Sequence, residues 1–178
     1  MIRKFLLPGL LFILTFLTGC GSQTAQSDNE KLMLIKELPF GVTYQEVKQK
    51  FPDVGPNKPE GYPEVEIDEG LTEATVSVNV LGYKAELEFN FEDNKLYRYG
   101  FAVEFKNKAG AENLYTKLQE FYTQEFGAYL VEKQAEGDNL TISNFWYESD
   151  FELCLVHHKN WDGRHFVNWG FQHSTLNY

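Results

Sequence analysis

The stretch Ala74–Phe105, ATVSVNVLGYKAELEFNFEDNKLYRYGFAVEF, decides the fold. Apolar residues recur at every second position in three runs: Ala74, Val76, Val78 and Val80; then Tyr83, Ala85, Leu87, Phe89 and Phe91; then Tyr97, Tyr99, Phe101, Val103 and Phe105. Thr75, Ser77 and Asn79, then Lys84, Glu86, Glu88 and Asn90, then Arg98 and Glu104 fall between them. Successive strand side chains point to opposite faces, so this period of two predicts an antiparallel meander with one wet face. Leu81-Gly82 and Asp93-Asn94 have the length of two-residue hairpin turns.

Outward from the meander the period changes. Downstream, Leu114, Leu118, Phe121, Tyr122 and Phe126 form one stripe of a helix spanning 109–126, with Gly127 as its stop. A polar turn near 136–139 leads to three further strands, at 140–147, 151–158 and 165–172. Upstream, Thr43 and Glu46 have capping-box spacing, Val42 and Val47 form a hydrophobic staple, and Tyr44, Val47 and Phe51 share a helix face that ends at Pro52. The expected fold class is α+β, two helices packed on antiparallel sheet in the order α-βββ-α-βββ. The helix pattern Tyr44, Val47, Phe51 recurs as Tyr115, Leu118, Tyr122, 71 residues on, which suggests an internal duplication with repeats 40–106 and 107–173.

Between the first helix and the meander, residues 54–73 are rich in Pro and Gly. They carry Glu60, Glu64, Glu66, Asp68, Glu69 and Glu73. Their spacing lacks the D-x-D-x-D-G pattern of a calcium loop, so the reading is a solvated loop with one edge strand at Val65 and Ile67. Aromatic residues make up 16% of the chain, which excludes a disordered protein. Residues 34–178 are the length of one domain with its own core.

The N-terminus is separate in character. Arg3 and Lys4 precede the apolar run Phe5–Leu17, which closes on Leu17-Thr18-Gly19-Cys20. This ending resembles the lipobox of bacterial lipoproteins. The resemblance implies a signal peptide at 1–19, cleavage before Cys20, and a diacylglyceryl thioether with further acylation at Cys20. Residues 20–33 then become the lipidated cysteine and a flexible tether, GSQTAQSDNEK at 21–31 being polar and small. The protein is expected on the extracytoplasmic side, on the outer face of a cell membrane or in an outer membrane facing the periplasm. The run from Phe5 to Leu17 is 13 residues, short of the ~20 a spanning helix needs, and no A-x-A-like site follows it. Loss of Arg3 and Lys4 with the leader would take the formal charge from −10 to −12. Such a surface disfavours nucleic acid and anionic headgroups.

The run Phe40-Gly41-Val42-Thr43-Tyr44-Gln45-Glu46-Val47 followed by a meander resembles the opening of the SmpA/BamE-like outer-membrane assembly lipoproteins and of the tandem-repeat β-lactamase inhibitory proteins. Those proteins bind other proteins and have no enzymatic activity. Both begin each unit with a helix pair, where this chain shows one helix, and the inhibitory proteins carry disulfides that a chain left with Cys154 alone does not form.

Few residues point to chemistry. No G-x-S-x-G, H-E-x-x-H, P-loop, G-x-G-x-x-G or C-x-x-C pattern occurs. His157, His158, His165 and His173 all fall in the last 22 residues. Asp162-Gly163 reads as a two-residue type I′ turn, which sets His158 opposite Val167 and Cys154 opposite Phe171. It also makes His158 and His165 diagonal neighbours about 7 Å apart. Two imidazoles could share a metal ion, but a zinc site wants three or four ligands, so no metal and no cofactor is expected. Cys154 and His157 point to opposite faces, and His158 is about 13 Å from Cys154 along a strand, which leaves only His173 as a base and favours a buried thiol acting as a small hydrophobe. Trp161, between Asn160 and Asp162 at the hairpin tip, is the candidate contact residue.

The functional expectation is a non-catalytic binding module for another envelope protein, with no catalytic residues assigned. It would use the wet face of the meander or the tip around Trp161. The alternatives are a small-molecule or lipid carrier, motivated by the aromatic content, and a hydrolase built from scattered carboxylates without a local motif.

Overall fold

The computed structural model describes residues 31–56, 73–136 and 139–174. The expected leader at 1–19, Cys20, the expected tether up to residue 30 and the edge strand expected at Val65 and Ile67 lie outside the described residues. A 3-10 turn at Leu34–Lys36 precedes α1 (Tyr44–Lys50). β1 (Gly55–Pro56), β2 (Glu73–Val80), β3 (Tyr83–Glu92) and β4 (Lys95–Phe105) follow. Then come α2 (Lys108–Phe126), β5 (Leu130–Glu136), β6 (Asn139–Tyr147), β7 (Phe151–Lys159) and β8 (His165–His173). Among the described residues no helix is long and apolar enough to cross a membrane.

The class is α+β, with α1, α2 and a wholly antiparallel sheet among the described residues, but the order α-βββ-α-βββ needs correction. Each helix is followed by four strands, and all eight form one sheet in the order β1-β2-β3-β4-β8-β7-β6-β5. The two strands that periodicity missed are its edges. β1 is two residues long, and β5 reads LVEKQAE, where two apolar residues run into charge. Such a strand has no inward partner layer on one side to impose alternation, and edge charge discourages further pairing. The sheet order has an approximate twofold pattern: β1–β4 from one edge and β5–β8 from the other meet at the β4–β8 pair.

Local chemistry accounts for the elements. Thr43 and Glu46 complete the capping box, the Thr43 amide donating to Glu46 Oε2 at 2.8 Å. Asn107 caps α2 by accepting from the Gly110 amide at 2.9 Å, and Gly127 ends it at φ +80°. Leu81-Gly82 and Asp93-Asn94 all have positive φ, as a type I′ turn requires, and each joins strands in two-residue register.

The helices cover one face. α2 packs on β4, β7 and β8, burying Ala111, Leu114, Tyr115, Leu118 and Tyr122. α1 sits over β3, with Tyr44 against Phe91 and Phe51 against Phe89, ring centroids 6.0 and 5.3 Å apart. The packed core starts before residue 34: Leu32 and Met33 are buried, and the buried Tyr122 hydroxyl donates to the Leu32 carbonyl at 3.1 Å. These two residues belong to the core rather than to the tether.

At the centre, Tyr99-Gly100-Phe101 of β4 pairs with Trp169-Gly170-Phe171 of β8. Phe101 stacks on Trp169 at 4.9 Å and Tyr99 lies 5.4 Å from Phe171 on the helix side, while Gly100 faces Gly170 on the other. A Cβ on Gly170 would come 2.7 Å from the Tyr99 carbonyl oxygen and 2.9 Å from Gly100 Cα, whereas one on Gly100 would come 3.3 Å from the Trp169 oxygen. The first contact is with backbone that cannot rotate away. Gly170→Ala is expected to destabilise the domain by about 2–3 kcal/mol, and Gly100→Ala by under about 1 kcal/mol, as read from urea midpoints; equal costs would show that the close approach is not limiting.

Candidate functional site

One face of the sheet carries both helices and the other has no covering element among the described residues. The register lays out this open face row by row. Glu88, Gly100, Gly170, Cys154, Phe145 and Leu130 stand side by side across β3, β4, β8, β7, β6 and β5. On one flank run Glu86, Ala102, Asn168 and Val156, and on the other Asn90, Arg98, Gln172 and Glu152. Because the two central residues lack side chains, the middle row is a trough of about 380 Å³. Glu86, Glu88, Arg98 and Glu152 supply its charge, and Phe145 closes one end. Beyond Phe145 lie exposed apolar groups: Leu130 is 64% and Tyr147 59% exposed, and Tyr147 stacks with Phe145 at 6.3 Å.

The expected residues are redistributed by one correction. The β7–β8 connection is a three-residue loop, Trp161-Asp162-Gly163, instead of a two-residue type I′ turn: the Gly163 amide donates to the Asn160 carbonyl at 3.1 Å, and only Gly163 has positive φ. Side chains fix this geometry. The Arg164 amide donates to Asn160 Oδ1 at 3.0 Å and Asp162 Oδ1 at 3.1 Å, and the guanidinium pairs with Asp162 and Glu104. The register therefore shifts by one residue, and a shift of one changes which side chains share a face.

Accordingly, His158 pairs with Phe166 and stacks on it, while Lys159 is the residue opposite His165. The imidazoles that meet are His157 and His165, Nε2 to Nδ1 at 3.3 Å, on the helix side near Glu112. The His158–His165 pair is thus overturned. Cys154 lies opposite Gly170 rather than Phe171, and His173 lies opposite Phe151 on the other face, which removes the one imidazole left as a base for the thiol. Among the described residues no group of three His, Cys, Asp or Glu side chains is placed to hold a metal ion. Trp161 is 90% exposed at the hairpin tip, between Asn160 and Asp162. It does not line the trough.

Sequence reasoning missed the trough. Its signal was present as Tyr99-Gly100-Phe101 and Trp169-Gly170-Phe171, the same aromatic-Gly-aromatic triplet 70 residues apart. A glycine in a strand interior marks a close approach of backbone, and two at matching positions mark one place twice.

Comparison of the chain with models of protein families, with curated proteins and with solved structures finds no match. The site is read from its own geometry.

Two titrations can be checked. Burial pushes the Cys154 thiol up to about 11, with the Glu152 carboxylate adding to the rise and Arg98 opposing it. At pH 8 its alkylation by iodoacetamide should be about a hundredfold slower than that of a thiol at its ordinary value near 9, and Glu152→Gln should speed it. Burial lowers the affinity of His157 for a proton, and His165 lowers it further, with Lys108 and His158 in the same sense and Glu112 opposing. The unfolded chain then binds more protons than the folded one, so this stability is complete above pH ~6.5 and is lost as pH falls through the depressed folded value. The urea midpoint should drop from pH 7.5 to 5.5, and less steeply in His157→Gln; an unchanged slope would exclude His157 as its source.

Proposed function

We propose that the chain is a membrane-anchored extracytoplasmic lipoprotein whose α+β domain is a non-catalytic binding module for another envelope protein, with the open face as the contact surface. The observation that carries this reading is the asymmetry of the sheet. One face is closed by α1, α2 and the segment from Leu32 to Leu38, and the other bears a trough edged by half-buried Phe145 and by exposed Tyr147 and Leu130. Exposed aromatic and aliphatic groups beside a concavity are the anchors that protein interfaces use. Trp161 at the hairpin tip supports the same reading as a second contact point, with Asn160 and Asp162 beside it.

Anchoring is supported by Leu17-Thr18-Gly19-Cys20 and the polar residues that follow. Two or more acyl chains hold a protein on a bilayer where one does not, at about 0.8 kcal/mol per buried methylene. The domain would begin about a dozen residues past Cys20, close enough to keep its contacts near the membrane surface.

A small-molecule or lipid carrier is the second reading. It is favoured by an apolar groove of about 410 Å³ at the end of the sheet, where Met33, Ile35, Pro39 and Phe40 face Phe126 and Phe151. The sheet–helix interior itself is filled by Trp146, Trp169, Tyr99 and Tyr122.

The anchored chain and a Cys20→Ala form should separate these readings. Palmitate incorporation and membrane retention are expected in the first and lost in the second. Crosslinking followed by detergent extraction should recover a stoichiometric protein with the anchored form. Recovery of bound lipid and no protein would turn the assignment to a carrier.

A further inference from the structure

We propose that the trough takes a lysine or arginine side chain carried on an extended segment of the partner protein. The inference rests on the binding-module reading above and names what the module recognises. Three observations point to a long aliphatic cation. First, the trough is amphiphilic along its length: Glu86 and Glu88 stand at the β3 end and Phe145 at the β6 end, with Gly100, Gly170 and Cys154 as the floor between. The span from β3 to β6 is four strand spacings, about 19 Å, room for an alkyl stem lying across the glycines and a charged head at the glutamates.

Second, the charge is unbalanced. Glu86, Glu88 and Glu152 line the trough against the one guanidinium of Arg98, so the site carries an excess of two negative charges. Glu88 is held in place by the Asn90 amide, which donates to its Oε1 at 2.8 Å. An anionic or purely apolar occupant would leave these carboxylates without compensation.

Third, the floor offers an acceptor. Asn168 lines the trough between Ala102 and Val156, and its side-chain oxygen is buried with no hydrogen-bond partner among the described residues. Rotation of the Asn168 amide toward the trough would pair this acceptor with an N–H donor, which lysine and arginine heads bring. A cation with a stem also satisfies the apolar end, where Tyr147 and Leu130 would pack against the partner's flanking residues.

The test uses the full chain in detergent micelles and a fluorescein-labelled heptapeptide alternating lysine with valine, followed by anisotropy. A norleucine-for-lysine peptide keeps the methylenes and removes the charge. Saturable binding of the lysine peptide is expected, with about tenfold weaker binding of the norleucine peptide and of E86Q/E88Q/E152Q to the lysine peptide. The variant D53N/E120Q/E148Q makes the same change in net charge at exposed positions outside the trough and should bind within about twofold of the parent. No binding by the parent, equal weakening in both triple variants, undiminished norleucine binding, or spermidine binding as tightly as the peptide would each overturn the proposal. In crosslinked membranes, a partner still recovered by anchored E86Q/E88Q/E152Q removes the trough and keeps the binding module. A parent chain that recovers no partner removes the module itself.

Discussion

The approach of β4 to β8 at Gly100 and Gly170 is the constraint on which the rest of the structure depends. A side chain at Gly170 would meet the Tyr99 carbonyl and Gly100 Cα within 3 Å, so the two halves of the sheet join at full closeness only through glycine. On the covered side the same pairing stacks Phe101 on Trp169 and sets Tyr99 against Phe171, with Tyr122 of α2 packed edge-on against Phe171. Aromatic pairs of this kind add about 0.5–1.5 kcal/mol each beyond their buried area, and that area is the main source of stability in a chain whose Cys154 has no disulfide. On the open side the absence of two side chains makes the trough. One backbone contact thus builds the centre of the core and the candidate site together, on opposite faces.

A second control is exercised by turns. The hairpins at Leu81-Gly82 and Asp93-Asn94 hold their register through two left-handed residues each. At the β7–β8 hairpin Asn160, Asp162 and Glu104 gather Arg164 and insert an extra residue into the loop. That residue moves His157 under α2, brings it against His165, and turns Cys154 and His158 to the open face. In a sheet whose side chains alternate, a single residue in a turn decides which titratable groups meet. The chemistry of the C-terminal hairpin is for that reason a property of Arg164 and its partners as much as of the histidines themselves.

Much was legible in the chain. Period-two alternation between Ala74 and Phe105 specified three strands and their inward faces, because one side of each strand meets a core and the other meets water. Thr43 with Glu46, and Gly127 after Phe126, specified helix ends, because orphan amides and carbonyls need partners at fixed offsets. The edge strands β1 and β5 were not legible, because a strand paired on one side and wet on much of its surface is under little demand to alternate. Nor was the His157–His165 contact, which rests on a loop held by side chains from two strands.

By itself, then, the sequence determined the α+β class, the inward faces of the long strands, the N-cap of α1, the C-terminal stop of α2 and the lipobox-like N-terminal stretch, all of which follow from interactions within a few residues. The tertiary structure alone decided that the two halves form one eight-stranded sheet, that Gly100 lies against Gly170, and that Glu86, Glu88, Glu152 and Phe145 surround them. Those residues are up to 84 positions apart, and no local periodicity encodes which strand edge meets which. Pairing of β4 with β8 is won by the burial of four aromatic rings at once, a gain that exists only when both halves of the chain are present.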